Sequence, residues 1–179
     1  GTPDLTPTSG NGYKYSPRVW NGIIQYSPLG GSSTAGQVTT TFNNDNVSYG
    51  NYFQVNVTAP GGINVTSMTG NFAYSTPDTV RVWVRSGAIG NSPSSSGWTQ
   101  VATASITPAG PQTFSTDFYL SAGSHTFLFS NSHYVLYTNG TAVGAVAGQD
   151  SNLTIYEGYG TTDQSPTNGG GYMFAPRVW

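Results

Sequence analysis

Two histidines, His125 and His133, stand in a serine-rich stretch, and Asp117 precedes both of them in the sequence. These are the residue types of a serine hydrolase, in which a histidine bonds the nucleophilic hydroxyl and a carboxylate orients that histidine. No nucleophile elbow or other local signature marks any serine of the chain as reactive. We therefore predict that the protein is not an enzyme and has no catalytic residues.

The seven carboxylates of the chain are few and scattered. Two of them could act as acid and base on a glycosidic bond only if the fold alone brought them together. Asp150, Glu157 and Asp163 are oxygen donors of the kind that Ca²⁺ takes from loops, but the sequence has no EF-hand or comparable calcium loop. We expect solvated turn carboxylates, no metal site and no cofactor, with Ca²⁺ at one of these three residues as the alternative.

Aromatic side chains are a stronger indication of a binding site. Tryptophan and tyrosine rings stack on sugar rings, while neighbouring amides bind sugar hydroxyls. The candidate ligand-binding residues are Trp83, Trp98, Tyr156 and Tyr159. The competing interpretation is structural, with Trp83 packed between Arg81 and Arg85 and Trp98 covering an edge of the fold.

The composition limits the class of partner. Charged residues make up 7% of the chain, aromatic residues 13%, and the formal net charge is −2. This aromatic content predicts a folded chain rather than a disordered one. Five basic residues cannot form the positive stripe that nucleic acid or an anionic membrane requires. Because no apolar run reaches membrane-spanning length, we expect neither nucleic-acid binding nor membrane insertion.

The two ends of the sequence are copies of each other. Residues 1–20 (GTPDLTPTSGNGYKYSPRVW) and 160–179 (GTTDQSPTNGGGYMFAPRVW) align without a gap, match at 12 of 20 positions and lie 159 residues apart. A match of this length indicates a duplication within a tandem array. We predict that residues 1–29 are the C-terminal strand or linker of a preceding repeat, or a donated strand, and that residues 30–179 are the repeat module.

The predicted repeat junction consists of the signature that both copies share and of residues that follow it in the first copy. Its residues are Pro17, Arg18, Val19, Trp20, Ile23, Ile24, Tyr26, Pro176, Arg177, Val178 and Trp179. The second copy stops at Trp179, so we expect segment 18–26 to supply the final strand of a module. That segment would either fold back onto its own chain or add to the sheet of a neighbouring copy.

Apolar and polar residues alternate along much of the chain, and helical periodicity is missing. The clearest strand spans residues 79–85, with Val80, Val82 and Val84 on one face. About twelve such short segments, separated by turn residues, predict an all-β fold. We predict a two-sheet antiparallel β-sandwich of jelly-roll type, with long loops at 87–97 and 158–171.

Several segments together resemble a known kind of module. They are SPRVWNGIIQY at 16–26, VRVWVRSGAIG at 80–90, GWTQVATASI at 97–106, LSAGSHTFLF at 120–129 and YTNGTAVGAVAGQDSNLTIYEGYG at 137–160. The chain resembles secreted bacterial β-sandwich repeats that end in a (Ser/Ala)-Pro-Arg-Val-Trp-Asn-Gly-x-Ile signature and occur in large multi-module surface proteins. The resemblance implies an exported, non-enzymatic tandem module and brings no ligand or catalytic residue with it.

The sequence therefore predicts a structural repeat unit of an extracellular or cell-surface fibre, stalk or adhesin. Such units would be joined head to tail by tandem linkage or strand exchange, with neighbouring copies of the module as partners. The alternative is a carbohydrate-binding, lectin-like module of a secreted adhesin or enzyme, with glycans as partners. The aromatic content and the long loops favour this alternative.

Overall fold

A computed structural model of the chain describes residues 14–30, 34–44, 46–90, 96–107 and 109–166. These residues form eleven β-strands and no α-helix. The strands are β1 (Lys14–Trp20), β2 (Gly22–Pro28), β3 (Gly36–Thr39), β4 (Asn46–Val57), β5 (Ile63–Phe72), β6 (Asp78–Ser86), β7 (Thr99–Ile106), β8 (Gly110–Leu120), β9 (Gly123–Asn139), β10 (Val146–Gln149) and β11 (Leu153–Thr161). Within these ranges, no helix is long and apolar enough to span a membrane.

The strands build two antiparallel layers. In the first layer, β7 pairs with β6, β6 with β9, β9 with β4 and β4 with β11, while β10 and β1 both pair with β11. In the second layer the strand order is β8, β5, β2, β3. The layers join where Phe72 of β5 pairs with Val135 of β9. The predicted all-β antiparallel sandwich is confirmed.

Side-chain alternation along the strands produces the core between the layers. Val80, Val82 and Val84 of β6 are buried, as predicted, and contribute to one hydrophobic cluster with the inward residues of both layers. Because successive side chains of a strand point to opposite faces, each layer also has an outward row. The largest fully buried side chains include Trp20, Tyr26, Phe53, Phe72, Phe127, Phe129 and Tyr137.

Strand β9 is longer than the sequence predicts. Separate strands are expected at 124–130 and 134–138, whereas the structure has one strand over Gly123–Asn139. The strand bends where Tyr134 takes a positive φ of 75°. Its first part pairs with β4 and β6, and its last part reaches β1. Val135, directly after Tyr134, pairs with Phe72 of β5, so the same strand also contacts the second layer. No local sequence pattern indicates this.

Alternation in the sequence predicts one strand over residues 19–26, whereas the structure has two strands there. β1 ends at Trp20 and β2 begins at Gly22, and Asn21 between them carries the chain from the first layer to the second. The Asn21 side chain is fully buried, and its amide forms hydrogen bonds with the side chains of Asn44 and Thr138. A buried polar side chain with partners holds this crossover in one place.

Two further boundaries differ from the prediction. Alternation in the sequence predicts a strand at 142–147, whereas the structure has β10 at Val146–Gln149. Residues 141 and 142 instead form a turn whose backbone N–H groups donate to the carboxylate of Glu157. The loop expected at 158–171 starts later, since β11 continues to Thr161 and pairs there with β1.

Candidate functional site

The first copy of the repeated signature lies inside the sandwich of its own chain. Trp20 is 2% exposed, and its ring stacks on Phe53 with centroids 4.6 Å apart and an interplanar angle of 5°. Its centroid is also 5.4 Å from that of Phe129. Gly22 makes room for the indole, because a Cβ at that position would lie 2.1 Å from the ring. Tryptophan and glycine of the signature thus form one packing unit.

The signature strands pair with both layers. In β1, Val19 pairs with Thr138 and Trp20 with Tyr137 of β9, while Lys14 pairs with Thr161 of β11. β2 lies between β3 and β5 in the second layer. Both strands, which the sequence assigns to the segment 1–29, are therefore hydrogen-bonded into the sheets formed by residues after 30.

The remaining predicted junction residues of the first copy divide between core and surface. Ile24 and Tyr26 are fully buried, whereas Ile23 points outward and is only half-buried. The Arg18 guanidinium lies 5.1 Å from the centroid of the Tyr137 ring, and its Nη1 donates to the Pro17 carbonyl at 2.8 Å. Pro176, Arg177, Val178 and Trp179, the corresponding residues of the second copy, lie outside the described residues.

Buried amide and hydroxyl groups fix the crossover after Trp20. Asn21 Nδ2 donates to Asn44 Oδ1 at 2.9 Å, and Thr138 Oγ1 donates to Asn21 Oδ1 at 2.8 Å. Thr40 Oγ1 accepts from the Gly22 N–H at 2.9 Å and donates to the Trp20 carbonyl. The sequence interpretation missed Asn21 and Thr40. The signal available was an Asn-Gly pair placed directly after the signature tryptophan.

Three of the four predicted ligand-binding aromatics meet on the outer face of the first layer. Tyr159 of β11 pairs with Tyr52 of β4, Tyr52 with Leu128 of β9, and Leu128 with Trp83 of β6. This transverse row, Tyr159–Tyr52–Leu128–Trp83, is called the aromatic row below. Trp98 packs against it, with its ring centroid 5.7 Å from that of Tyr52.

Residues 89 and 90, in the loop after β6, contact the aromatic row. The Ile89 N–H donates to Gln54 Oε1 at 3.2 Å, and the Tyr159 hydroxyl donates to the Gly90 carbonyl at 3.2 Å. Tyr52, Leu128, Tyr159 and Ile89 are buried in this cluster. Trp83 is half-buried and packs against this cluster, so the row is part of a small second hydrophobic cluster. Sugar binding by Trp83, Trp98 and Tyr159 stays a prediction.

The edges of the row carry polar groups. The Tyr52 hydroxyl donates to Asp163 Oδ2 at 3.0 Å; burial, and then the Asp163 carboxylate, raise the Tyr52 pKa well above its ordinary value. The Arg85 guanidinium lies 5.5 Å from the Trp98 ring centroid. Arg85 thus packs on Trp98, and the packing of Trp83 between Arg81 and Arg85 stays a prediction. Tyr156, the fourth predicted aromatic, pairs with Gln54 one row further along and is half-buried.

The histidines and Asp117 lie apart from each other. Asp117 Oδ1 accepts from Asn64 Nδ2 at 2.7 Å, and His125 Nε2 contacts the Ser121 carbonyl at 2.8 Å. His133 lies instead beside Asp78, with Nδ1 at 3.3 Å from Asp78 Oδ2. Among the contacts that the structure describes, neither histidine ring bonds a serine hydroxyl, which a serine hydrolase requires.

Asp78 is the centre of a cluster that the sequence did not reveal. Its side chain is 5% exposed, and it accepts hydrogen bonds from Ser132 Oγ at 2.5 Å and from the N–H groups of Thr79, Ser132 and His133. Burial alone would raise the pKa of Asp78, but these hydrogen bonds outweigh burial and lower that pKa. Through these hydrogen bonds the carboxylate joins the start of β6 to the bend of β9.

The three carboxylates considered for Ca²⁺ each have a separate position. Asp150 accepts from the Tyr26 hydroxyl at 2.6 Å and from two backbone N–H groups of its own turn. Glu157 is buried and binds the turn at Thr141, while Asp163 binds Tyr52. Across the described part of the chain, no three His, Cys, Asp or Glu side chains converge as metal ligands would.

A cavity of about 420 Å³ opens at one end of the sandwich. Its walls come from the end of β2, the loop after β4 and the turn between β10 and β11, and they include Tyr26, Leu29, Pro60 and Asp150. Burial first, and the bond to Asp150 second, raise the pKa of the Tyr26 hydroxyl. The Tyr26–Asp150 bond therefore ties the end of the signature to the β10–β11 turn.

Comparison with protein-family models, curated proteins and solved structures finds no match for this chain. The contacts described above are therefore the basis for a function.

Proposed function

We propose that the chain is a structural repeat unit of an extracellular fibre, stalk or adhesin, in which one copy of the signature segment completes the sandwich of a neighbouring module. One observation carries the proposal. The signature strands β1 and β2 are part of the core, with Trp20 stacked between the layers, and the sequence holds a second copy of the Pro-Arg-Val-Trp segment.

The position of β1 makes exchange physically reasonable. β1 lies against β11 and against the last part of β9, so its removal would leave backbone groups of both strands without partners. It would also empty the space that Trp20 fills beside Phe53. A segment with the same Pro-Arg-Val-Trp sequence supplies the same backbone groups and the same indole, which is the basis of strand addition.

Composition supports a location outside the cell. Charged residues are 7% of the chain, and cysteine is absent. The exposed positions of the strands are occupied largely by Ser, Thr, Asn and Gln, which give a neutral coat. The resemblance to exported bacterial tandem repeats points the same way, and the proposed partners are further copies of the module. The proposal assigns the chain no catalytic activity.

The test uses the mass of the full chain in solution over a range of concentrations. In Trp20→Ala the first copy loses its anchor, because removing a buried tryptophan costs about 3–5 kcal/mol. The second copy, with Trp179 intact, then becomes the better occupant of the β1 position. We expect Trp20→Ala to form oligomers whose mass rises with concentration.

Two further variants act as controls. Trp179→Ala keeps the first copy intact. At low concentration its mass in solution should therefore equal that of the unmodified chain. The double variant Trp20→Ala/Trp179→Ala should lose both the oligomers and several degrees of thermal stability, since neither copy then supplies an indole. A Trp20→Ala chain that stays monomeric at every concentration would overturn the proposal.

A further inference from the structure

The outer face of the second layer is a broad polar surface that the proposed function does not use. Its outward side chains are here called the polar face, and all of them except the buried Thr69 are at least partly exposed. They are Thr39 and Gln37 of β3, Ile23, Gln25 and Ser27 of β2, Asn64, Thr66, Ser67 and Thr69 of β5, and Thr113, Ser115, Asp117 and Tyr119 of β8. Asp117 is the one ionisable carboxylate among them, and none of them is basic. The surface is nearly uncharged.

Strand register arranges these side chains in transverse rows. One row runs Gln37–Gln25–Ser67–Ser115, and the next runs Thr39–Ile23–Thr69–Thr113. Neighbouring strands lie about 4.8 Å apart, so four strands give a face roughly 14 Å wide. The rows thus place amide and hydroxyl groups next to one another across four paired strands.

Hydrogen bonds between the side chains hold the rows in place. Gln25 Nε2 donates to Gln37 Oε1 at 2.8 Å, and Ser67 donates to Gln25 Oε1. Thr69 and Thr113 share a bond of 2.7 Å between their hydroxyls. These amides and hydroxyls are fixed before any ligand arrives, which lowers the entropy cost of binding.

One end of the polar face carries an exposed aromatic ring beside an amide–carboxylate pair. Tyr119 is 57% exposed and pairs with Asn64 across the β5–β8 ladder. Asn64 Nδ2 donates to Asp117 Oδ1 at 2.7 Å. The Tyr119 hydroxyl donates to the Gly61 carbonyl at 3.2 Å, and the ring lies over Gly62, where a Cβ would come within 2.6 Å of it. The ring is thus held in place with much of its surface open.

We infer that the polar face binds a neutral polysaccharide chain. Tyr119 stacks on one sugar ring, and Asn64 and Asp117 bond its hydroxyls, since carboxylates and amides are the acceptors and donors that hydroxyls match. The glutamine and serine row continues the hydrogen bonding along the chain. This site differs from the aromatic row, which residues 89 and 90 of the loop after β6 contact.

The chemistry of the face disfavours the other kinds of occupant. A nucleic acid needs basic groups, which the polar face does not have. A protein interface has an apolar, aromatic centre, whereas this face offers a half-buried Ile23 and a Tyr119 at its edge. A neutral polysaccharide carries uncharged hydroxyls and apolar ring faces. Its hydroxyls match the amide and hydroxyl rows of the polar face, and its ring faces match Tyr119.

The experiment measures binding of the full chain to four neutral polysaccharides. Insoluble cellulose and chitin are used as pull-down matrices, and soluble β-glucan and xylan are used in native affinity gels. We expect retention by at least one of them, weakened about 3- to 10-fold in Tyr119→Ala, as the loss of one ring contact predicts. Tyr74→Ala is the matched control, because Tyr74 is 51% exposed and lies outside the polar face.

Three results would overturn the inference. The first is no retention by any of the four polysaccharides. The second is equal weakening in Tyr119→Ala and Tyr74→Ala, which would place the binding elsewhere. The third is self-association that Tyr119→Ala abolishes, which would identify a second copy of the chain as the occupant. Because these measurements do not involve Trp20 or Trp179, they are independent of strand exchange.

Discussion

At the scale of the residue, Asp78 makes the fold sensitive to acid. Hydrogen bonds from Ser132, Thr79 and His133 outweigh burial and keep its pKa below the ordinary value. A carboxylate with a lowered pKa in the folded state stabilises the protein above the unfolded pKa of about 3.9. This stabilisation is lost as the pH falls through the lower, folded pKa. The hydrogen bonds of Asp78 to β9 should therefore weaken only in strongly acidic solution.

We predict that Asp78→Asn lowers the free energy of unfolding at pH 7 by about 1–3 kcal/mol, because an amide cannot accept all the hydrogen bonds that the carboxylate accepts. It should also flatten the acid limb of the stability curve. Urea unfolding at several pH values measures both effects. Asp117→Asn is the control, since Asp117 is exposed and should change stability by less than about 0.5 kcal/mol. Equal effects of the two substitutions would contradict the assigned role of Asp78.

The sequence predicted some residue roles better than others, for a physical reason. Burial of Val80, Val82 and Val84 follows from strand periodicity, which depends on neighbours two positions away. Asp78 and Ser132 are 54 positions apart, so only the folded chain brings them together. Asn21 and Thr138 are 117 positions apart and equally invisible to local patterns.

At the scale of the element, the loop after β6 contacts the aromatic row. Ile89 inserts into the cluster of Tyr52, Leu128 and Tyr159, and its N–H group bonds Gln54. The sequence selected Trp83, Trp98 and Tyr159 by residue type alone. It did not show that Tyr52 and Leu128 lie between them or that the loop after β6 contacts them, because strand register determines the row and register depends on pairing between distant segments.

We predict that Ile89→Ala loosens this loop and lowers the free energy of unfolding by about 2 kcal/mol. This is the low end of the cost of truncating a buried isoleucine, because the site lies near the surface. Trp83 and Trp98 should become more accessible to water. Tryptophan fluorescence should shift to longer wavelength and be quenched more readily by acrylamide, while Trp20 in the main core stays protected. Leu29→Ala, at an exposed leucine, should leave the spectrum unchanged. An unchanged spectrum in Ile89→Ala would show that the loop does not shield Trp83 and Trp98 from water.

The same reasoning explains which strand boundaries were predicted. β6 alternates without a break, and the prediction over residues 79–85 agrees with its bounds and its inward valines. β4 begins at Asn46, before the strand that alternation predicts at 52–58, and its residues 50–53 are all buried. The crossover at Asn21 and the bend of β9 depend instead on buried side-chain bonds and on one positive φ at Tyr134. Alternation continues through Asn21, so the pattern suggests one strand where the structure has two. In β9 the polar run at 130–133 interrupts the alternation, so the pattern suggests two strands where the structure has one.

At the scale of the whole molecule, buried tyrosines set the alkaline limit of stability. Burial is the main cause of the raised pKa of Tyr26, Tyr52, Tyr137 and Tyr159. Each of these hydroxyls stays neutral in the folded state but ionises in the unfolded chain above about pH 10. Their stabilising contribution is therefore complete below that pH and is lost as the pH rises through the folded-state pKa values.

We predict that the thermal midpoint is level from neutral pH to about pH 9 and falls steeply above about pH 10. Phenolate absorbance should rise in two phases, and the second phase should coincide with the loss of β-sheet circular dichroism, because the buried hydroxyls ionise only when the layers separate. Tyr52→Phe keeps the ring in the aromatic row but removes one such hydroxyl, so it should make the alkaline decline shallower. A single absorbance phase complete before any loss of β-structure would mean that these tyrosines ionise within the folded sandwich. In that case burial would not be what limits its alkaline stability.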